Sequence, residues 1–163
     1  MRASQVRFIR QQGIPGENFP ESLYSALILQ PRIIGVLAVV GILLQSAWFF
    51  LALSAVLWWS ALVPTQNPFD AIYNHVVADR RGLPPLGTAL APRRFAAGEA
   101  GTVALAIGVA LLAGARITAW VLEGVLVGGV ISAVFANFCL GAYTYELLRR
   151  LSPGASALSA SKG

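Results

Sequence analysis

Two long apolar blocks dominate the chain, residues 33–63 ("IIGVLAVVGILLQSAWFFLALSAVLWWSALV") and residues 98–147. A straight helix over the first would be about 46 Å long, against a bilayer hydrocarbon core of about 30 Å. Either one over-long helix tilts, or two short helices turn near Gln45-Ser46. The second block exceeds one span and breaks at "AGARIT", residues 113–118. Composition agrees with this reading: 56% of residues are hydrophobic, only 12% are charged, and mean hydropathy is +0.68. An average soluble chain carries about twice that share of charge. The expected fold class is therefore an all-α membrane protein.

Lysine and arginine placement decides how the blocks fold, because basic residues gather in cytoplasmic flanks. Arg2, Arg7, Arg10 and Arg32 precede the first block; Arg80, Arg81, Arg93 and Arg94 lie between the blocks; Arg149, Arg150 and Lys162 follow. Treating each block as a hairpin leaves Arg116 as the single exception among twelve basic residues. A single span in the first block would put the two four-arginine segments in opposite compartments. Four transmembrane helices in two hairpins are thus expected, over residues 32–45, 47–63, 97–114 and 117–147, with both termini cytoplasmic. The first two are shorter than the usual ~20 residues, which calls for local thinning or extension into the flanks. Trp48 and Trp120 near the outer turns, and Trp58 and Trp59 near an inner end, fit an aromatic belt better than cofactor stacking.

This divides the chain into an N-terminal cytoplasmic segment (1–30), a membrane domain (31–150, with connector 64–96) and a flexible tail (151–163). The N-terminal segment is too polar for a signal peptide; its Phe19, Leu23 and Leu27 form the stripe of a short interfacial helix ending before Pro31. The halves also share "LLQSAW" with "LLAGAR", and the Asn67–Tyr73 spacing with Asn137–Tyr143. Duplication of a hairpin and chance likeness both remain open.

The connector opens with "NPFD": Asn67 suits an N-cap, Pro68 the first helical position, and Asp70 the positive end of the helix dipole. Phe69, Ile72, Tyr73 and Val76 follow helical spacing, and Gly82 is placed to end the helix. This predicts an amphipathic helix at the cytoplasmic interface. His75, the chain's one histidine, points about 130° from that stripe at 100° per residue. It is read as solvated; ligation of a tetrapyrrole is disfavoured, and a metal would need Asp70, Asp79 or another chain.

Glu123 is an acid inside the last apolar block, and such residues are functional candidates by default. It could carry a proton or bind a cation; the simpler alternative is that it snorkels beside Arg116. Glu99 is expected near Arg93 or Arg94 at the inner interface. Small residues recur at every fourth position, Gly124, Gly128, Ser132 and Ala136, and again at Ala106, Ala110 and Gly114. Such ladders let helices approach closely in lipid, within the chain or between subunits. Cys139 is the only cysteine, which excludes an internal disulfide and CxxC chemistry. No nucleophile–base pair, metal spacing or phosphate loop is recognisable, no cofactor is expected, and the arginines are not clustered as nucleic-acid binding requires. Eleven arginines against one lysine hint at a GC-rich bacterial genome, and the expected location is a bacterial cytoplasmic membrane.

The order Pro31-Arg32, "NPFD" with Tyr73-Asn74, "PRRFA" at 92–96 and Phe138-Cys139 resembles the bacterial domain-of-unknown-function family 4395 over about residues 31–150. The resemblance implies a polytopic membrane protein without an established activity. Some relatives keep further cysteines near the "FC" motif, which would suit thiol redox partnership; here the stretch reads "FCLGAY" and Cys139 stands alone. The leading expectation is a non-enzymatic accessory subunit, in contact with membrane lipids and other membrane subunits. A small transporter using Glu123 is the runner-up, and a thiol-redox partner through Cys139 the third.

Overall fold

A computed structural model describes residues 1–151, and every regular element among them is helical. Apart from Leu151, the tail expected to be flexible lies outside the described residues. Helix α1 covers Ala3–Gln11, α2 Glu21–Leu44 and α3 Ala47–Leu62. Helix α4 is continuous over 68–81, starting as Pro68–Ile72, widening to a π-helix over Tyr73–Ala78, and closing as Asp79–Arg81. Helices α5 (Ala91–Leu112), α6 (Arg116–Phe135) and α7 (Leu140–Leu151) follow.

Local chemistry sets the helix ends. Gln45 stops α2 in the left-handed conformation at φ 45°, and Ser46 accepts the Phe49 N–H at 3.4 Å to begin α3. Gly114, at φ +70°, closes α5: its N–H reaches the Leu111 carbonyl and that of Ala115 the Ala110 carbonyl, at 3.1 and 2.9 Å. This pair of bonds satisfies carbonyls the helix end would otherwise leave open, and glycine takes the left-handed position without Cβ strain. Gly82 ends α4 in the same way, with the Leu83 N–H bonded to the Ala78 carbonyl at 3.0 Å.

Three helices are long and apolar enough to cross a membrane: α2, α5 and α6, with mean hydropathies of 2.3, 1.8 and 1.9. The 16-residue α3 is apolar but shorter, about 24 Å. The outer surface carries large apolar side chains, among them Leu43, Trp48, Leu62, Ile117, Trp120 and Phe135. Helix α5 is central, packing along α3 and against α6 and α7, while α2 lies on α6; α2 and α3, neighbours in sequence, touch only sparsely. Glycine allows the closest approaches. A Cβ on Gly108 would lie 2.8 Å from Leu51 Cδ2 and 3.2 Å from the Ala47 carbonyl oxygen. The Ser54 hydroxyl donates to the Gly101 carbonyl at 2.8 Å across the same seam. Ile34, Ala38, Phe50, Leu57, Ala104 and Ile107 fill the main core; Phe8, Ile9, Leu27, Ile28 and Ala133 form a second, where α1 tucks under α2.

Several expected boundaries move. Pro31 does not end a helix: α2 runs through it from Glu21, so the 30/31 division falls inside α2. Pro31 removes one N–H and crowds one carbonyl, but packing of Leu27 and Ile34 on either side holds the helix together. The third long helix starts at Ala91, placing "PRRFA" in its first turns rather than in a connector. The segment 117–147 is not one helix. Helix α6 stops at Phe135, Asn137 turns left-handed at φ 51°, and α7 begins at Leu140. Asn67 and Asn137 also differ in role, the first a buried N-cap, the second a turn residue bonded to Tyr24 and Ser4.

Candidate functional site

The most elaborate polar arrangement joins three helices at one end of the bundle. Asn67 caps α4 by accepting the Phe69 N–H at 3.0 Å, which places Asp70 in the first turn. The first turn of α5 carries Arg93 inward, and α2 presents Gln30 just before Pro31. Arg93 Nε and Nη2 donate to Gln30 Oε1 at 3.0 and 2.8 Å, while Nη1 donates to Asp70 Oδ2 at 3.1 Å. A second bond, from Nη2 to Asp70 Oδ1, makes the pair bidentate. All three residues are buried. Burial pushes the Asp70 carboxyl up, against the pull of the Arg93 charge and hydrogen bonds. Among the described residues no buried side-chain polar atom lacks a partner. Nearby, Arg94 donates to the Ala61 carbonyl at 2.8 Å, tying α5 to the end of α3. Asn74 exchanges two bonds with the Leu86 backbone and fastens the following loop.

Beside this network lies a cavity of about 170 Å³ between α1, α2, α5, α6 and the start of α7. Its polar side chains are Gln12, Gln30, Arg93, Glu99 and Cys139; Leu27, Ile34, Leu126 and Val130 line its apolar side. An apolar cavity of about 150 Å³ holds a benzene-sized molecule, so this one is large enough for a single small ring. Gly141 closes one wall, since a Cβ there would lie 2.7 Å from Ala96 Cα and from Glu99 Oε2. Burial pushes the Cys139 thiol up, and the Glu99 carboxylate adds to the shift, against hydrogen bonds from Ala142, Gln12 and Gly141. A thiol so placed is a poor nucleophile and a poor metal ligand. No group of three metal-ligating side chains occurs among the described residues.

The remaining candidates are dispersed. Glu123 is 3% exposed, and both its oxygens accept from Gln45 Nε2, at 3.1 and 3.3 Å. Its partner is thus the α2–α3 turn, not Arg116. Glu99 lines the cavity together with Arg93 but makes no ion pair with it: Arg93 bonds Asp70 and Gln30, and Arg94 donates from Nε to the Ala61 carbonyl. His75 is exposed and lies 3.3 Å from Asp79. The apolar stripe of α4 divides: Phe69 and Tyr73 are buried, whereas Ile72 and Val76 are exposed. The Asp70–Arg93 bond turns the Asp70 side of the helix inward.

The two small-residue ladders also part. In α5, Ala110 is buried and Ala106 half-buried, while Gly114 is in the turn. The glycines against α3 are Gly98, Gly101 and Gly108, on a neighbouring stripe. In α6, Gly124 and Gly128 are exposed and Ser132 half-buried, and Ala136, just past its end, is exposed; no atom comes within 4 Å of a Cβ built on Gly124 or Gly128. Sequence reasoning missed Gln30, Gln45 and the inward role of Arg93. The available signal was an arginine and an acid in two short motifs, each next to an apolar block.

The sequence model of a family described as Domain of unknown function (DUF4395) matches residues 28–150. That range contains Gln30, Asp70, Arg93, Glu123 and Cys139. No curated protein and no solved structure matches the chain.

Proposed function

The chain belongs to the DUF4395 family of unknown function, and from that premise we propose that it is a non-catalytic subunit of a larger complex in the bacterial cytoplasmic membrane. In this reading α2, α3, α5 and α6 cross the bilayer as two hairpins, with both termini and α4 on the cytoplasmic side. The observation that carries the proposal is the outward face of α6. Gly124 and Gly128 stand one turn apart with nothing packed on them, and exposed Val121, Val125 and Ile131 lie along the same helix. Small residues at this spacing admit a second helix at close range. Purification in mild detergent should bring other membrane proteins with the chain, and Gly124→Leu with Gly128→Leu should release them while leaving its folding unchanged. A lone, stable homo-oligomer would sink the idea.

A second reading is favoured by Glu123, a buried carboxylate whose hydrogen-bond partner among the described residues is the neutral amide of Gln45. Such a group suits a proton- or cation-coupled carrier. Glu123→Gln should then abolish proton flux into vesicles holding the purified protein, read with a pH-sensitive dye; unchanged flux removes that role.

A further inference from the structure

We propose that the groove between α1 and α7 binds the headgroup of an anionic glycerophospholipid; this rests on the membrane topology proposed above. The groove encloses about 980 Å³ and is walled by Arg7 and Arg10 from one side and Arg149 and Arg150 from the other. The acids lining it are Glu17 and Glu146. Glu17 lies 3.3 Å from Arg10, and Glu146 lies 3.1 Å from both Arg149 and Arg150. Four guanidiniums therefore share two carboxylates, and Arg7 has no carboxylate partner among the described residues.

The floor adds to this field. Leu90, Ala91 and Pro92 line it where the 22-residue α5 begins, and no side chain caps that helix start. The positive end of the α5 dipole thus points into a groove already rich in arginine, a setting that favours an anion. Guanidiniums bind phosphate oxygens in bidentate fashion. What distinguishes a lipid from free phosphate is α7 itself. Leu140, Tyr143, Leu147, Leu148 and Leu151 are all exposed and recur at helical spacing, the pattern of a helix lying in the membrane interface. Acyl chains run along that stripe while the phosphodiester enters the groove.

The test uses the full chain in non-ionic detergent, offered equal phosphatidylglycerol and phosphatidylcholine and read by native mass spectrometry. The wild type should retain phosphatidylglycerol in preference. Arg7→Gln with Arg149→Gln should reduce that preference about fivefold for each arginine removed. Arg80→Gln with Arg81→Gln removes the same charge away from the groove and should leave the preference intact. Equal retention of the two lipids, no change in the groove variant, or an equal fall in the control variant each overturns the proposal. So does displacement of phosphatidylglycerol by inorganic phosphate, which would make this a free-anion site. Alkaline extraction of membranes scores insertion separately. Release of the chain overturns the topology and the lipid assignment together, whereas retention without lipid preference overturns the groove alone.

Discussion

Arg93 is the residue through which three helices are held at one end of the bundle. Removing two charges from water costs several kcal/mol per ion, and only good geometry with further hydrogen bonds repays it. Here the three guanidinium nitrogens make four bonds, two to the two oxygens of Asp70 and two to the single amide oxygen of Gln30. Asp70→Asn or Arg93→Gln alone strands a buried charge and should cost about 3–5 kcal/mol, read as a lower unfolding temperature in detergent. Replacing both, Asp70→Leu with Arg93→Met, should cost much less than either, because no uncompensated charge remains. The pH dependence has a definite sign. A carboxyl held above its ordinary value favours the folded state at low pH, and that contribution fades as pH rises through its folded value. Arg93→Gln removes the opposing pull and sends the Asp70 carboxyl further up. The stability gap between wild type and this variant should therefore narrow as pH falls from neutrality towards the ordinary carboxylate value of 3.8. Cys139 gives a second prediction at this scale. With its thiol held above the ordinary 9.0, maleimide labelling at neutral pH should be slow beside a free peptide thiol and accelerate only in alkaline buffer. Fast neutral labelling, read by mass, would restore the thiol-redox reading.

At the scale of elements, helix starts and stops made of local chemistry were legible, whereas those decided by packing were not. Asn67, Pro68 and Gly82 act through neighbours within five residues, and each does what its type and position predict. Pro31 carries an equally local signal for a helix end, yet α2 continues, because burial of side chains on both sides outweighs one lost hydrogen bond. The α6–α7 break shows the reverse: an apolar run with no strong breaker is cut at Asn137, whose side chain bonds to Tyr24 and Ser4 from distant segments. The Asp70–Arg93 pair and the Glu123–Gln45 contact were hidden for the same reason, since no periodicity links residues so far apart. The glycines make a sharp comparison. A Cβ on Gly141 meets the Ala96 backbone at 2.7 Å, while one on Gly124 meets nothing. Gly141→Ala should therefore push α7 off α5 and cost about 1–3 kcal/mol. Gly124→Ala should leave the chain as stable or slightly more so, since alanine is the better helix former by about 1 kcal/mol. Equal thermal shifts for the two would mean that the α5–α7 contact contributes nothing.

For the whole molecule, the two-hairpin topology proposed above would require helices of unequal length to share one bilayer. Helix α2 is long, but Arg32 is exposed partway along it, and the apolar stretch 33–44 covers only about 18 Å. Helix α3 offers about 24 Å, whereas α5 beyond Arg94 and α6 beyond Arg116 offer about 27 and 28 Å. Under that topology the first pair matches a thinner slab than the second, and bilayers accommodate such mismatch by thinning and by snorkelling of flanking arginines. The polar contacts gather at the two ends of the bundle. Gln30, Asp70 and Arg93 meet where α5 starts, and Arg94 of that turn bonds Ala61 near the end of α3; Glu123 and Gln45 meet at the α2–α3 turn. A two-hairpin topology therefore predicts one reporter pattern. Fusions to green fluorescent protein after the C-terminus, and insertions in the loop 83–90, should fluoresce. Alkaline phosphatase joined at Gly114 should be active, and joined in the loop 83–90 should be silent. If α2 and α3 instead formed one crossing, the loop 83–90 would face the outside and phosphatase there would be active. That single fusion separates the two topologies, because it reads the compartment of the segment holding Arg80 and Arg81 directly.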